Sequence, residues 1–182
     1  MVRIAPAAEP FPEAVTKRLA PLTPLNGRHI LLFRTLARDE RLCSRFMDGG
    51  LLDRGSISLR SRELMILRTC ARCGAEYEWG VHVATYGTKT QWTPAQIHST
   101  VHGNADDECW DLEDRLVIRL ADQLHDTNRV NDAHWKEMAA HFAPDQLVEL
   151  IMLAGLYHAV SYMVNATGVQ HEAFAPRFPS VA

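Results

Sequence analysis

The segment Arg68–His82, "RTCARCGAEYEWGVH", concentrates several reactive side chains within one short stretch of the chain. It holds the thiols of Cys70 and Cys73, then the carboxylate of Glu78, and then the imidazole of His82. At positions i and i+4, Glu78 and His82 share one face of a helix. A carboxylate beside an imidazole raises its basicity and orients it, which suits general acid–base catalysis. Two thiols three residues apart suit redox chemistry instead. The residue types therefore indicate two different reactions.

A reversal of the chain at Gly74 would bring a second carboxylate to the histidine. Glu63 lies eleven residues before Gly74, and His82 lies eight residues after it. At about 1.5 Å of rise per residue the two arms are roughly 16 Å and 12 Å long, so an antiparallel helix pair brings Glu63 level with His82 to within one turn. The spacing predicts a cluster of Glu63, Glu78 and His82, with Tyr77 as a phenolic donor. A buried histidine that a carboxylate merely satisfies explains the same spacing.

The two cysteines fall where a helix favours a thiolate least. Cys70 and Cys73 lie at the end of the upstream helix, and the negative end of a helix dipole opposes a thiolate, although Arg68 and Arg72 are nearby. Packing thiols are therefore the favoured interpretation. With His82 they offer three metal ligands, but no second close pair completes a zinc site and the other histidines show no ligand spacing. We expect no metal.

Composition indicates one globular domain. The chain has 182 residues, of which 47% are apolar and 23% charged, and this is enough for a single core. A net charge of −3 without a run of lysine or arginine gives no support for nucleic-acid or anionic membrane partners. The N-terminal "MVRIAPAAEPFPEA" lacks the apolar run of a signal peptide, and four cysteines in such a chain are typical of cytoplasmic thiols.

The pattern of apolar residues predicts an all-α fold of five to seven helices, because helical spacing recurs and no alternating strand pattern occurs. Five prolines predict an extended arm over residues 1–28, which leaves a helical domain over 29–182. Capping residues and glycines predict helices over 29–47, 58–73, 77–86 and 144–168, among others. The last of these is strongly apolar, but Glu149 and His158 interrupt it, so it is expected to be a buried core helix rather than a membrane span.

Residues 58–87, "SLRSRELMILRTCARCGAEYEWGVHVATYG", resemble the signature of the carboxymuconolactone decarboxylase family, within the superfamily that includes alkylhydroperoxidase D. An Arg–Glu–Leu run followed by Glu–Tyr–Glu–Trp-x-x-His carries the resemblance, and the segment from Ala133 to Val169 extends it. The resemblance implies an AhpD-like helical bundle with a central antiparallel helix hairpin. It also implies assembly into trimers or hexamers, with a site in the hairpin near a subunit boundary.

The alkylhydroperoxidase pattern fits this chain only in part. That pattern is a glutamate, eleven residues, and then Cys-x-x-Cys-x-x-x-His. Its glutamate and histidine positions fall on Glu63 and His82, whereas its two cysteine positions fall on Ala75 and Glu78. The chain's own Cys-x-x-Cys lies five residues too early, which along a helix means a rotation of about 140° and a shift of about 7.5 Å. The usual dithiol route to hydroperoxide reduction is therefore disfavoured.

These observations support three hypotheses for function. The first is a cofactor-independent acid–base enzyme of the decarboxylase or lyase type, acting on a small carboxylated or lactone metabolite. The second is thiol antioxidant activity of the alkylhydroperoxidase or peroxiredoxin type through Cys70 and Cys73. The third is a non-catalytic helical oligomer or ligand-binding protein. The expected partners are a small-molecule substrate and further copies of the chain. The candidate residues of the first hypothesis are His82, Glu78, Glu63 and Tyr77 for catalysis, and Arg62, Arg68 and Trp79 for substrate binding.

Overall fold

The computed structural model describes residues 1–22 and 28–180, and within these ranges it contains nine α-helices. They are α1 (Glu13–Leu19), α2 (Leu31–Leu36), α3 (Glu40–Asp48), α4 (Leu59–Arg72), α5 (Glu76–Thr90), α6 (Pro94–His102), α7 (Leu112–Thr127), α8 (Asp132–His141) and α9 (Pro144–Thr167). The prediction of an all-α fold is confirmed. The number of helices is higher than predicted, because the N-terminal arm is partly helical and one predicted helix is divided.

Helices α4 and α5 form the predicted hairpin, and Gly74 makes the turn between them. Gly74 has a φ of +63°, a left-handed conformation that glycine adopts without a steric penalty. Its N–H donates to the Ala71 carbonyl at 3.0 Å, and the Ala75 N–H donates to the Cys70 carbonyl at 2.8 Å. These two hydrogen bonds define a Schellman turn, which ends α4 and lets α5 begin at once in the opposite direction.

Helix α4 is the centre of the bundle. It packs against α5, α6, α7 and α9, and every residue from 61 to 70 is buried. A helix surrounded on all sides has an apolar surface all round, which Leu64, Met65 and Ile66 supply. The same burial encloses Glu63 and Arg68. Because buried charges require partners, α4 dictates which groups its neighbours must present.

The N-terminal arm differs from the extended segment that its prolines predict. Helix α1 lies within it, with Val15 and Leu19 buried and packed against the core. The backbone N–H of Arg3 donates to the Thr167 carbonyl at 2.8 Å, which ties the start of the arm to the end of α9. The arm therefore folds onto its own chain. Its residues 23–27 lie outside the described part, as do residues 181–182 of the predicted helical domain.

Two helix boundaries also differ from the prediction. The helix expected over 29–47 is divided, because the Asp39 side chain accepts a hydrogen bond from the Leu42 N–H and starts α3 as a new helix. Helix α5 does not end at Gly87 but continues to Thr90, and Gln91 follows in a left-handed conformation. A single glycine within a helix costs only about 1 kcal/mol, which the packing of α5 overcomes.

Helix α9 is a core helix on one side only. Leu150, Leu153 and Tyr157 are buried against the bundle, whereas Val148 and Met152 are exposed on the opposite side. By length and composition alone this helix is apolar enough to cross a membrane, with 44% of its most apolar window buried inside the chain. One side of α9 therefore lies in the core as predicted, and the other side is an exposed apolar surface.

Candidate functional site

The hairpin brings His82 between two carboxylates, as its spacing predicts. His82 Nδ1 lies 2.7 Å from Glu63 Oε2, across the pair of helices. On the other side of the ring, Nε2 lies 3.4 Å from Glu78 Oε1, one helical turn away. All three side chains are buried, with 4% or less of each exposed. The geometric part of the prediction is confirmed, and the catalytic roles of these residues remain a proposal.

A fourth charge completes the cluster. The Arg62 guanidinium binds Glu63 Oε1, with its Nε at 2.9 Å, and it also donates to the Leu52 carbonyl at 2.7 Å. Two carboxylates therefore face one guanidinium and one imidazole, and the four charges sum to zero when His82 is protonated. Burial has the largest influence on the pKa of His82 and lowers it, but the charges and hydrogen bonds of Glu63 and Glu78 outweigh burial and raise the pKa to about 9. At neutral pH the ring is an imidazolium that can donate a proton.

Tyr157 is the residue that sequence reasoning missed. Its hydroxyl lies 3.0 Å from His82 Nε2, and its ring packs edge-on against the imidazole. Burial, and then the charges of Glu78 and Glu63, raise the pKa of Tyr157 well above its ordinary value, so the phenol keeps its proton. Tyr157 belongs to α9, 75 residues from the histidine. In the sequence, Tyr157 is distinguished only by lying between Ala133 and Val169, the segment that extends the resemblance to the carboxymuconolactone decarboxylase family.

A cavity of about 760 Å³ adjoins this cluster. Arg62 and Tyr86 form part of its wall, together with Lys89 and the segment Leu52–Leu59. The Arg62 guanidinium lies 5.0 Å above the Tyr86 ring, and that ring stacks on His82 at 5.5 Å between centroids. Arg62 and Tyr86 thus separate the imidazole from the cavity by one layer of side chains. Glu78 Oε2 is buried beneath this layer and has no hydrogen-bond partner within residues 1–22 and 28–180.

Three predicted residues lie elsewhere. The Tyr77 hydroxyl accepts from the Leu32 N–H at 3.0 Å and donates to Glu172 at 2.9 Å, so it ties α5 to other segments instead of serving His82. Trp79 is fully buried, and its indole N–H donates to Thr100 at 3.0 Å. We expected Tyr77 to be a phenolic donor and Trp79 to bind substrate, but in the structure both side chains hold the hairpin in the core.

Arg68 also differs from its expected role. Its Nε and Nη2 donate to the Asp122 carboxylate, at 2.7 Å and 2.9 Å, and its Nη1 donates to the carbonyl oxygens of Thr100 and Gly103. These bonds occupy the guanidinium and direct it toward α7. Five positions along α4 separate Arg68 from Glu63, a rotation of about 140°, and this spacing alone indicates a different face. Of the two arginines proposed for substrate binding, only Arg62 lines the cavity within the described ranges.

The cysteines lie apart from the cavity. Cys70 is fully buried, and its sulfur is 4.0 Å from the Ser161 hydroxyl. Burial, followed by the charge of Glu78, raises the pKa of Cys70 well above its ordinary value. Cys73 is half-buried, burial raises the pKa of its thiol as well, and its sulfur lies beside His125 rather than beside His82. Neither thiol is therefore activated by its surroundings.

Comparison with solved structures identifies the fold. An uncharacterized peroxidase-related protein from Silicibacter sp. TM1040 superposes with a TM-score of 0.79 at 15% identity, over 98% of this chain and 96% of that one. The alkylhydroperoxidase AhpD core of an uncharacterized peroxidase-related protein from Ralstonia eutropha JMP134 gives 0.78 at 17% identity, over 93% of both chains. The chain has the AhpD-like fold.

The AhpD-like fold also occurs in a debrominase. The apo structure of the debrominase Bmp8 matches with a TM-score of 0.68 at 14% identity, over 94% of this chain and 92% of that one. A cysteine-to-alanine variant of Bmp8 has been solved in complex with 2,3,4-tribromopyrrole. No protein-family model matches the chain, and its sequence matches no curated protein. The predicted fold is thus confirmed, and because one fold supports many chemistries, the function depends on the residues of the site.

Proposed function

We propose that this protein is a cofactor-independent acid–base enzyme of the decarboxylase or lyase type, acting on a small carboxylated or lactone-like metabolite. One observation carries the proposal: the buried imidazole of His82 is held by Glu63 at 2.7 Å and lies behind the Arg62 and Tyr86 wall of a cavity. A buried imidazole that is merely satisfied needs one carboxylate. This one has two, together with the Tyr157 phenol at 3.0 Å.

Each side chain of the cluster and of the cavity wall has a separate role in such a reaction. Arg62 and Lys89, both in the cavity wall, offer positive charge to a substrate carboxylate. When the bond to the departing carboxylate breaks, CO₂ leaves and the electron pair remains as an enolate. His82 Nε2, beside Tyr157, supplies the proton that this carbon takes up, and solvent restores the proton to the ring. Glu63 orients the imidazole and Glu78 holds its opposite side. Access to Nε2 requires the Tyr86 ring to move aside.

Steady-state assays on a panel of small carboxylated lactones, followed by CO₂ release, test this proposal. For any substrate found, His82→Gln is expected to lower kcat/KM by about 10²- to 10⁴-fold, the usual contribution of a general acid. Activity should also fall as the pH rises through about 9, where the ring loses its proton. The matched control is His134→Gln, which replaces another histidine with 4% exposure on a different helix. Full activity of the His82 variant would refute the assigned role.

A thiol antioxidant activity through Cys70 and Cys73 is the second candidate, because two structures with this fold are described as peroxidase-related. The burial of both sulfurs and their raised pKa values count against it. Mass spectrometry after mild peroxide treatment distinguishes the two candidates. A Cys70–Cys73 disulfide or a sulfenic acid at either position supports the thiol route, and unmodified thiols exclude it.

The third candidate is a non-catalytic binding protein, for which tight binding of a ligand in the cavity without turnover would be the evidence.

For any of the three candidate functions, we propose that the exposed side of α9 contacts another copy of the chain in a trimer or hexamer. Val148, Met152 and Tyr162, each more than half exposed, form an apolar stripe there. Light scattering of Met152→Glu should show a smaller assembly than the parent. A cytoplasmic location also remains a proposal, supported by four free cysteines.

A further inference from the structure

A second cluster of reactive side chains lies outside the His82 cluster and its cavity. Cys73 follows the last turn of α4, His125 lies in the last turn of α7, and His158 lies near the middle of α9. Cys73 Sγ is 3.8 Å from His125 Nδ1, which in turn is 3.2 Å from His158 Nε2. All three donor atoms lie within 4.8 Å of one another. We propose that Cys73, His125 and His158 form a binding site for a divalent transition metal of the Zn²⁺ class.

The distances match a tetrahedral centre. With metal–sulfur bonds of about 2.3 Å and metal–nitrogen bonds of about 2.0–2.1 Å, tetrahedral angles separate two nitrogens by about 3.3 Å and a sulfur from a nitrogen by about 3.6 Å. The observed separations of 3.2 Å and 3.8 Å lie within a few tenths of these values. The third separation, between Cys73 Sγ and His158 Nε2, is no more than 4.8 Å.

The histidines are prepared to act as ligands. His158 Nδ1 lies 3.0 Å from the Ala154 carbonyl, and a carbonyl only accepts, so Nδ1 carries the hydrogen. That tautomer leaves the lone pair of Nε2 directed at Cys73 and His125, which is the usual outer-shell support for a ligating histidine. His125 directs its Nδ1 at the same point, 3.2 Å from His158 Nε2 and 3.8 Å from Cys73 Sγ.

The surroundings suit a bound cation that keeps one coordination position open for water. Cys73, His125 and His158 are all half-buried, which allows an ion to enter and leaves room for a water as fourth ligand. Arg72 would repel a metal, but its charge is matched by an ion pair with Asp126 and by Asp122, whose Oδ1 lies 3.6 Å from the guanidinium Nε. Metal binding replaces the thiol proton of Cys73, so affinity should increase with pH. The bound ion would join the ends of α4 and α7 to α9.

Equilibrium titration of the full-length, chelator-treated protein tests the site. Zn²⁺ is titrated by calorimetry, and Co²⁺ serves as a spectroscopic probe because a thiolate ligand gives a charge-transfer band that oxygen and nitrogen ligands do not. We expect one metal per chain, a thiolate–cobalt band, and a melting temperature that rises with metal concentration. Cobalt binding without the thiolate band would overturn the proposal.

Two ligand variants and a matched control locate the site. Cys73→Ser and His158→Ala should each weaken Zn²⁺ binding by at least about 100-fold. Cys109→Ser replaces another half-buried cysteine that is not part of the cluster, and it should bind like the parent. Equal affinity of all three variants would show that the metal binds elsewhere.

Thiol labelling gives a test that needs no variant and so does not depend on the folding of one. The rate at which an alkylating reagent modifies each cysteine is followed by mass spectrometry, with and without Zn²⁺. A bound metal should slow modification of Cys73 by at least about tenfold and leave that of Cys109 unchanged. An unchanged rate at Cys73 would refute the site, irrespective of whether the His82 cluster is an active site.

Discussion

The raised pKa of His82 makes a quantitative prediction about the stability of the protein. The pKa of this imidazole is about 9 in the folded chain, against an ordinary value of 6.5. Between these pH values the native state holds a proton that the unfolded chain has lost. The free energy of unfolding must therefore decrease as the pH rises, with the contribution of His82 complete below about pH 6.5 and lost above about pH 9.

The size of the effect follows from the interval between the two pKa values. One pH unit corresponds to about 1.36 kcal/mol, so the interval from 6.5 to about 9 gives His82 a contribution of about 3 kcal/mol. Burial lowers the pKa of His82, and Glu63, at 2.7 Å from Nδ1, makes the largest contribution to raising it. In Glu63→Gln the shape is kept but the charge is removed, so burial dominates and the pKa of His82 should fall toward or below 6.5.

Urea unfolding at intervals from pH 6 to pH 9.5, on the parent and on Glu63→Gln, measures this difference. The parent curve should descend with a slope of about 1.4 kcal/mol per pH unit between the two values, and the variant curve should be flat there once contributions common to both are subtracted. Titration of the imidazole by NMR gives the pKa directly. The control is Glu137→Gln, because Glu137 is also next to a buried histidine, His134, but is 57% exposed to solvent. Parallel curves for the parent and Glu63→Gln would refute the reasoning.

Three further predictions concern the elements that hold the site. Gly74→Ala should destabilise the protein by about 1–2 kcal/mol in urea unfolding, because alanine is strained at a φ of +63° although its Cβ would meet nothing within 4 Å. Arg68→Leu should cost about 3 kcal/mol, since it leaves Asp122 without its main partner, and it should not change KM for a substrate of the His82 site. Asn131→Ala should cost about 1 kcal/mol of unfolding free energy, because the Asn131 side chain caps α8; an unchanged midpoint would contradict the capping role.

The hairpin was predictable because everything that determines it is local. Apolar periodicity places two helices on either side of Gly74, and only glycine adopts the turn conformation without a penalty. Once the chain reverses, a fixed rise per residue brings Glu63 to His82. The helix boundaries at Asp39 and Gly87 were less predictable. There a side-chain cap at Asp39 and tertiary packing around Gly87 changed the outcome that local propensity alone indicates.

The sequence by itself determined the helical class, the reversal at Gly74 and the meeting of Glu63 with His82, since each depends on neighbours in one or two adjoining helices. Only the tertiary structure decided that Tyr157 completes the cluster, that Arg62 faces the cavity, and that Cys73 meets His125 across 52 residues. Periodicity shows which residues share a face of one helix. It does not show which face of a distant helix that surface will meet, because this depends on how all the helices fill one core.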